Sequence, residues 1–159
     1  MSSLPPWLPP MVPVNPWTEQ TLEILYRIFQ RDFKDTQPDY RGFTVWFFPD
    51  REEGKEVLFW HMTSETDPET GQRLPDLRRC ERLPWARPML DHSWEPEIQA
   101  FDYREHDGDI HTYVWLKDHD YLVLMKKYKD GRRRLITSFY IKYPHYRHKL
   151  EKKFRQRLS

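Results

Sequence analysis

The sequence predicts an α+β domain: an antiparallel sheet of about four to six strands, with an N-terminal and a C-terminal helix packed on it. Three observations carry this. Leu22, Leu25, Tyr26, Phe29 and Phe33 recur at three- and four-residue spacing, the stripe of an amphipathic helix. Between residues 98 and 143, four aromatic or β-branched runs are separated by turn signals, Asp107-Gly108 and Asp130-Gly131 among them. Pro144 then opens a second stripe, Tyr146, Leu150, Phe154 and Leu158. There are no internal repeats and no second domain boundary, so the 159 residues are read as one domain.

The elements follow in order. Residues 1–16 hold six prolines, which excludes helix or central strand; residues 1–15 are expected to form an extended, polyproline-like arm anchored by Trp7 and Leu8 on its own domain. Asn15 as N-cap and Pro16 at the first helical position start the first helix, which ends near Lys34, before Gln37-Pro38. Phe43–Phe48 and Val57–Thr63 read as strands joined by a turn through Pro49–Lys55. Both are apolar on both faces and should be covered on both. Residues 64–76 form a polar loop. Asp76 caps a short helix, Leu77–Leu83, that stops before Pro84, and Trp85–His92 adds a turn or two interrupted by Pro88. Ile98–Tyr103, Ile110–Lys117, Tyr121–Tyr128 and Arg134–Tyr143 are the strands of the meander.

Composition bounds the function. Aromatic residues make up 16% of the chain, so a core is feasible although only 38% of residues are hydrophobic. No apolar run reaches the roughly 18 residues of a membrane span, and no secretory leader pattern opens the chain, so no membrane partner is expected. The single cysteine, Cys80, cannot form an internal disulfide and reads as a small packed side chain in a reducing, cytoplasmic compartment. The net charge of +1 conceals an asymmetry. From Lys126 onward thirteen Lys or Arg face only Asp130 and Glu151, a net of +11, which leaves −10 on the preceding 125 residues. A basic region on a near-neutral protein suggests a polyanion, usually nucleic acid, against the plainer reading of a solvated helix and hairpin.

The chemistry-bearing residues narrow this. His106-Asp107-Gly108-Asp109 with His111 is the densest metal-ligand cluster, but it lacks a helix or a repeated pair to fix geometry, and Asp-Gly accounts for itself as a turn. No metal and no cofactor are expected, and no phosphate-binding loop or serine-nucleophile elbow is present. What remains is one histidine, His61, at the end of an apolar run; Arg78, Arg79 and Arg82 on one short helix; and Thr137, Ser138 and Tyr140 on a late run in the basic region. Metal-independent RNA cleavage needs about this much: a base for the 2′-hydroxyl, a cation for the phosphorane and an acid for the 5′-oxygen. Imidazole suits the proton transfers, and the planar fork of arginine suits the phosphate. Each residue also has a structural reading, as packed histidine, ion-paired arginine, backbone-bonded hydroxyl or core tyrosine.

The order Phe59-Trp60-His61-Met62-Thr63, then Pro75-Asp76-Leu77-Arg78-Arg79-Cys80-Glu81-Arg82-Leu83-Pro84-Trp85, then Leu135-Ile136-Thr137-Ser138-Phe139-Tyr140 resembles the phage- and mobile-element-associated nuclease-like proteins of the barnase–EndoU–colicin–RelE (BECR) fold. The resemblance spans about residues 55–143 and makes 16–159 a BECR-like domain. It implies a metal-independent endoribonuclease, often a toxin acting on tRNA or other cellular RNA; cleavage by 2′-hydroxyl attack is then expected to leave a 2′,3′-cyclic phosphate, and an acidic antitoxin or immunity protein is a compatible partner. Carried onto this chain, the catalytic set is His61, Arg79, Arg82, Thr137 and Tyr140. Arg78, Lys126, Lys127, Arg132, Arg133 and Arg134 bind RNA, and Lys126, Arg134 or His111 completes the site. The alternatives are a non-catalytic RNA-binding module using Trp46, Trp60 and Trp115 as stacking platforms, and a protein-interaction domain whose basic tail meets an acidic partner.

Overall fold

The computed structural model describes residues 3–159; Met1 and Ser2 of the arm lie outside that range. From Leu4 on, the arm packs on its own domain. Leu8 and Val14 are buried, Trp7 stacks on His92, and the Pro9 carbonyl accepts from the Trp85 indole at 2.9 Å. Helix α1, Glu19–Phe33, begins three residues later than Asn15-Pro16 suggests. The N-cap is Thr18: its hydroxyl accepts from the Thr21 N–H at 3.1 Å, and the Thr21 hydroxyl accepts from the Thr18 N–H at 3.3 Å. This reciprocal box satisfies two donors that the helix cannot satisfy itself, which neither Asn15 nor Pro16 does. The stripe was read correctly, with Leu25, Tyr26, Phe29 and Phe33 buried.

Strands β1 (Asp39–Tyr40) and β2 (Phe43–Trp46) form a hairpin, and a smaller one, β3 (Arg51–Glu52) with β4 (Lys55–Glu56), follows. Val57–Thr63 is then helix α2, not a strand. Seven apolar-rich residues fit either form by pattern alone. Here α2 wedges between α1 and the sheet, with Leu58, Phe59, Trp60, Met62 and Thr63 buried and His61 exposed. Phe59 packs edge-on against Tyr26 and Phe29, at ring distances of 5.2 and 5.6 Å. A helix surrounded on three sides reads as apolar on both faces of a strand. The polar loop after it contains a short hairpin, β5 (Ser64–Thr66) with β6 (Arg73–Pro75).

Asp76 caps helix α3 (Leu77–Arg82) as expected, accepting from the Arg78 and Arg79 amides at 3.1 and 3.2 Å. Pro84 does not end the helical stretch. It enters a single 3₁₀ turn, Leu83–Trp85, which leads straight into α4 (Ala86–Asp91). Pro88 is tolerated in the first turn of α4, where a missing N–H costs nothing. Strands β7 (Ile98–Arg104), β8 (Ile110–Leu116), β9 (Tyr121–Lys127) and β10 (Arg133–Tyr140) make the antiparallel meander, and helix α5 spans Pro144–Arg155. Leu158 lies past its end, where its N–H donates to the Asp102 carbonyl.

The six-stranded sheet has the order β1-β2-β10-β9-β8-β7. It is antiparallel except where β2 joins β10 in parallel, over Val45–Arg133 and Trp46–Arg134 only. Past Arg134, β10 has β9 as its one strand neighbour, and α2 and α3 pack along its other side. The two faces of the sheet carry separate cores. On one, Val114, Tyr121, Val123, Met125 and Leu135 meet α1, α2 and the α3–α4 stretch; on the other, Phe101, Tyr113, Trp115 and Leu122 meet Leu150 of α5. Among the described residues no helix is long and apolar enough to cross a membrane.

Candidate active-site groove

The site begins with the C-terminal end of α2. A helix leaves its last carbonyls without internal partners, and a seven-residue helix has few to spare. Each one traced here is claimed from outside the helix ladder. Thr63 Oγ1 donates to Phe59 O at 2.8 Å, Ser64 Oγ to Trp60 O at 2.6 Å, and the Asp76 N–H to Thr63 O at 2.9 Å. The His61 carbonyl takes two donors, Arg79 Nη1 at 2.8 Å and Thr137 Oγ1 at 3.1 Å. Three residues singled out in the sequence therefore meet at one oxygen. The bonds go to the His61 main chain, and the imidazole, with no hydrogen-bond partner among the described residues, is left free in an exposed position.

Arg79 is heavily committed. Nη1 also donates to Ser64 O at 3.1 Å, Nη2 to Glu65 at 3.2 Å, and Nε lies 3.2 Å from Asp76 Oδ2 as an ion pair without hydrogen-bond alignment. Its side chain is 19% exposed. A cation at this place complements the carbonyl end of α2, so Arg79 is a positioning group for the helix that carries His61. Arg82 and Tyr140 form a separate pair, with the guanidinium 4.3 Å from the centre of the tyrosine ring and Nη1 on Arg78 O and Glu81. Neither residue lines the His61 groove. Arg78 pairs with Glu81 at 3.1 Å and borders the adjoining cleft with Lys142.

Thr137 reaches His61 because β10 carries a β-bulge. The register with β9 jumps between Leu135 and Thr137, with Ile136 as the extra residue. A bulge reverses the alternation of faces beyond it. By the strict alternation of a strand Thr137 would share a face with Leu135; instead Leu135 pairs with Met125, and Thr137 with Leu124 on the other face. Ser138 points into the first core and shares a 2.6 Å hydrogen bond with Tyr121, whose phenol is pushed up by burial.

On either side of His61 the surface opens. One cleft, of about 490 Å³, is bounded by His61, Ser64, Glu65, Arg79, Ile136 and Thr137. The other, of about 340 Å³, runs from His61 and Ile136 past Leu58 to Phe48, Asp50 and Arg134. Shared residues make the two one groove between α2 and the edge of β10 beyond β2. Among the basic residues offered for completing the site, Arg134 is the one in this groove. Its Nε donates to Tyr128 Oη at 3.0 Å, and its terminal nitrogens have no partner among the described residues. Lys126 lies elsewhere, paired with Asp109 at 3.4 Å, and His111 stands opposite it on β8.

The rest of the basic set is largely spent. Lys127 meets Asp102 at 3.4 Å and Arg132 meets Asp130 at 2.7 Å. Arg133 is only 5% exposed, bonded to Thr112 and Asp102 between the Tyr40 and Phe43 rings. The charge asymmetry overstated the free cations because Asp102 of β7 and Asp109 of the β7–β8 turn, distant in sequence, take up Lys126, Lys127 and Arg133, while Asp130 of the hairpin turn takes up Arg132. Of the three tryptophans considered for stacking, Trp115 is fully buried and Trp60 is 9% exposed with its indole bonded to Glu52 O. Phe48, half exposed beside the groove, was missed; the signal for it was the run Trp46-Phe47-Phe48 ahead of Pro49. Among the described residues no group of three or more His, Cys, Asp or Glu is arranged to hold a metal ion. Comparison with protein-family models, with curated proteins and with solved structures returned no match.

Proposed function

We propose that the protein is a metal-independent endoribonuclease of the BECR kind, acting from the groove between α2 and β10. The observation that carries this reading is the His61 imidazole: exposed and free, on a backbone held by Arg79 and Thr137, in a groove shared with an arginine whose terminal nitrogens are unspent. An N-terminal helix ahead of a sheet that ends in a four-strand antiparallel meander is compatible with that reading.

In this reading His61 takes the proton of a 2′-hydroxyl. The freed oxygen attacks the adjacent phosphorus, the bond to the 5′-oxygen breaks, and water returns a proton to that leaving group. Arg134 neutralises charge on the phosphorane oxygens through its free fork. Arg79 and Thr137 act through the His61 main chain as positioning residues, and Arg82 and Tyr140 brace α3. Exposed Lys149, Lys152 and Arg155 on α5 attract the RNA backbone, so binding weakens as salt rises. The products carry a 2′,3′-cyclic phosphate. An RNA toxin acting on tRNA in the cytoplasm, restrained by an acidic antitoxin or immunity protein, is the setting this chemistry fits.

The test is cleavage of an RNA oligonucleotide with both ends mapped. Expected are cyclic-phosphate ends, indifference to EDTA, resistance of a 2′-deoxy substrate, and a loss of about 10²-fold or more on His61→Ala at unchanged stability. Cutting of the deoxy substrate, or a His61→Ala protein as active as the parent, refutes the reading. RNA binding without cleavage in either form establishes the non-catalytic module instead.

A further inference from the structure

The arm of the groove that runs from His61 to Phe48 holds, besides His61 and Arg134, side chains the cleavage step does not use. Phe48 follows the end of β2 and leaves half its surface, 50%, in solvent. It is held in place nonetheless. Trp46 packs edge-on to it at 5.4 Å, Tyr128 braces Trp46 at 5.5 Å, and the Arg134 guanidinium lies 4.2 Å from the ring centre. A large ring braced by Trp46 and half exposed, with the Arg134 guanidinium against it, offers an aromatic and a planar cationic surface at one place. Leu58 and Ile136 make the adjoining wall apolar. The cleft, open to solvent and of about 340 Å³, is at the small end of ligand pockets.

One polar group in this arm is unassigned. Asp50 is exposed and belongs to no ion pair, and no donor reaches its carboxylate among the described residues. Its neighbour Glu52 differs, being tied to Arg73 at 2.5 Å. A free carboxylate beside a flat aromatic surface accepts from an N–H at the edge of a planar ligand. Guanine, adenine and cytosine each carry an exocyclic amino group that suits it; uracil offers only its N3–H, flanked by two carbonyl oxygens that a carboxylate repels.

We propose that this arm is a nucleobase subsite. A base stacks against Phe48 and Arg134, its amino group faces Asp50, and its own phosphate is thereby delivered to His61. The subsite selects amino-bearing bases over uracil next to the cut. This deepens the ribonuclease reading and rests on it for the link to cleavage, but base binding itself can be tested without any cleavage.

The experiment titrates each of the four nucleoside 3′-monophosphates into the full chain by NMR, for the parent, Phe48→Ala and Asp50→Asn. Expected are tighter binding of the three amino-bearing nucleotides than of the uridine nucleotide, a loss of about tenfold in Phe48→Ala, and a narrowed preference in Asp50→Asn. Phe48 is half exposed and Asp50 exposed, so both variants should fold; thermal melts check that. Equal binding of all four nucleotides, or a Phe48→Ala protein that binds like the parent, overturns the subsite. Mapped RNA ends separate the two proposals: cleavage with no base preference removes the subsite and keeps the nuclease, whereas selective nucleotide binding without cleavage keeps the subsite and removes the nuclease.

Discussion

Replacing Arg79 by alanine distinguishes a structural clamp from a phosphate ligand. The change deletes two hydrogen bonds from a charged donor, to His61 O and Ser64 O. At the low end of the range for charged donors each is worth about 1.5 kcal/mol, about 3 kcal/mol together. The contact with Glu65, which is 50% exposed, adds about 0.5 kcal/mol after solvent screening. Asp76 is nearly inaccessible, but it keeps Lys142 at 3.1 Å and the two amides it caps, so the loss does not strand a buried charge. The expected cost is about 3 to 4 kcal/mol, a large share of a typical domain's stability. With a urea dependence of about 2 kcal/mol/M, the unfolding midpoint should fall by roughly 1.5 to 2 M, followed by tryptophan fluorescence. Thr137→Val, which removes the second donor to the same oxygen, should cost about 1 kcal/mol. A midpoint that drops by less than about 0.5 M for Arg79→Ala refutes the clamp. It would return Arg79 to the role of a group held ready for phosphate.

Two further outcomes concern buried titratable groups. Burial pushes the Glu56 carboxyl up, but hydrogen bonds from Lys34 and from Tyr26 at 2.6 Å outweigh it, and the net value lies below the ordinary 4.5. A depressed carboxyl stabilises the fold above its unfolded value, and that contribution disappears as pH falls through the folded one. Stability measured by urea unfolding should thus drop as the pH goes below about 4.5, and Glu56→Gln should flatten that limb; an unchanged limb contradicts the assignment. Cys80 is fully buried, donates to Thr63 O at 3.2 Å, and has its thiol pushed up to about 12 by burial, with the Asp76 charge adding to it. Alkylation at pH 8 should be slow in the native protein and fast in urea, and rapid native labelling would show that α3 opens.

Some of the molecule was legible in the chain because its signals are local. Asp76 caps α3, Pro144 opens α5, and the turns at Asp107-Gly108 and Asp130-Gly131 bound strands within a residue or two of where they were read. Gly131 has φ 92°, a conformation that favours glycine, and its missing side chain lets the Phe43 ring sit against it. The helix start was misread because Asn15-Pro16 and Thr18-x-x-Thr21 are both caps on paper, and only backbone geometry chooses between them.

The sequence by itself determined the meander, its flanking helices, the placement of one histidine after an apolar run, and the concentration of cations in its last third. Local chemistry suffices for these: turn residues, caps and hydrophobic period act within a few positions. Tertiary structure alone decided that Val57–Thr63 is helical, because its partners are α1 and the side of β10 left free where β2 ends. It decided the direction of Thr137, because a bulge belongs to a ladder and not to a strand. It also decided that Arg79 and Arg133 are spent while the terminal nitrogens of Arg134 have no partner among the described residues, because an ion pair is settled by which carboxylates the fold brings near: Asp102, 31 positions away, for Arg133, and Glu65, 14 positions away, beside the local Asp76 for Arg79.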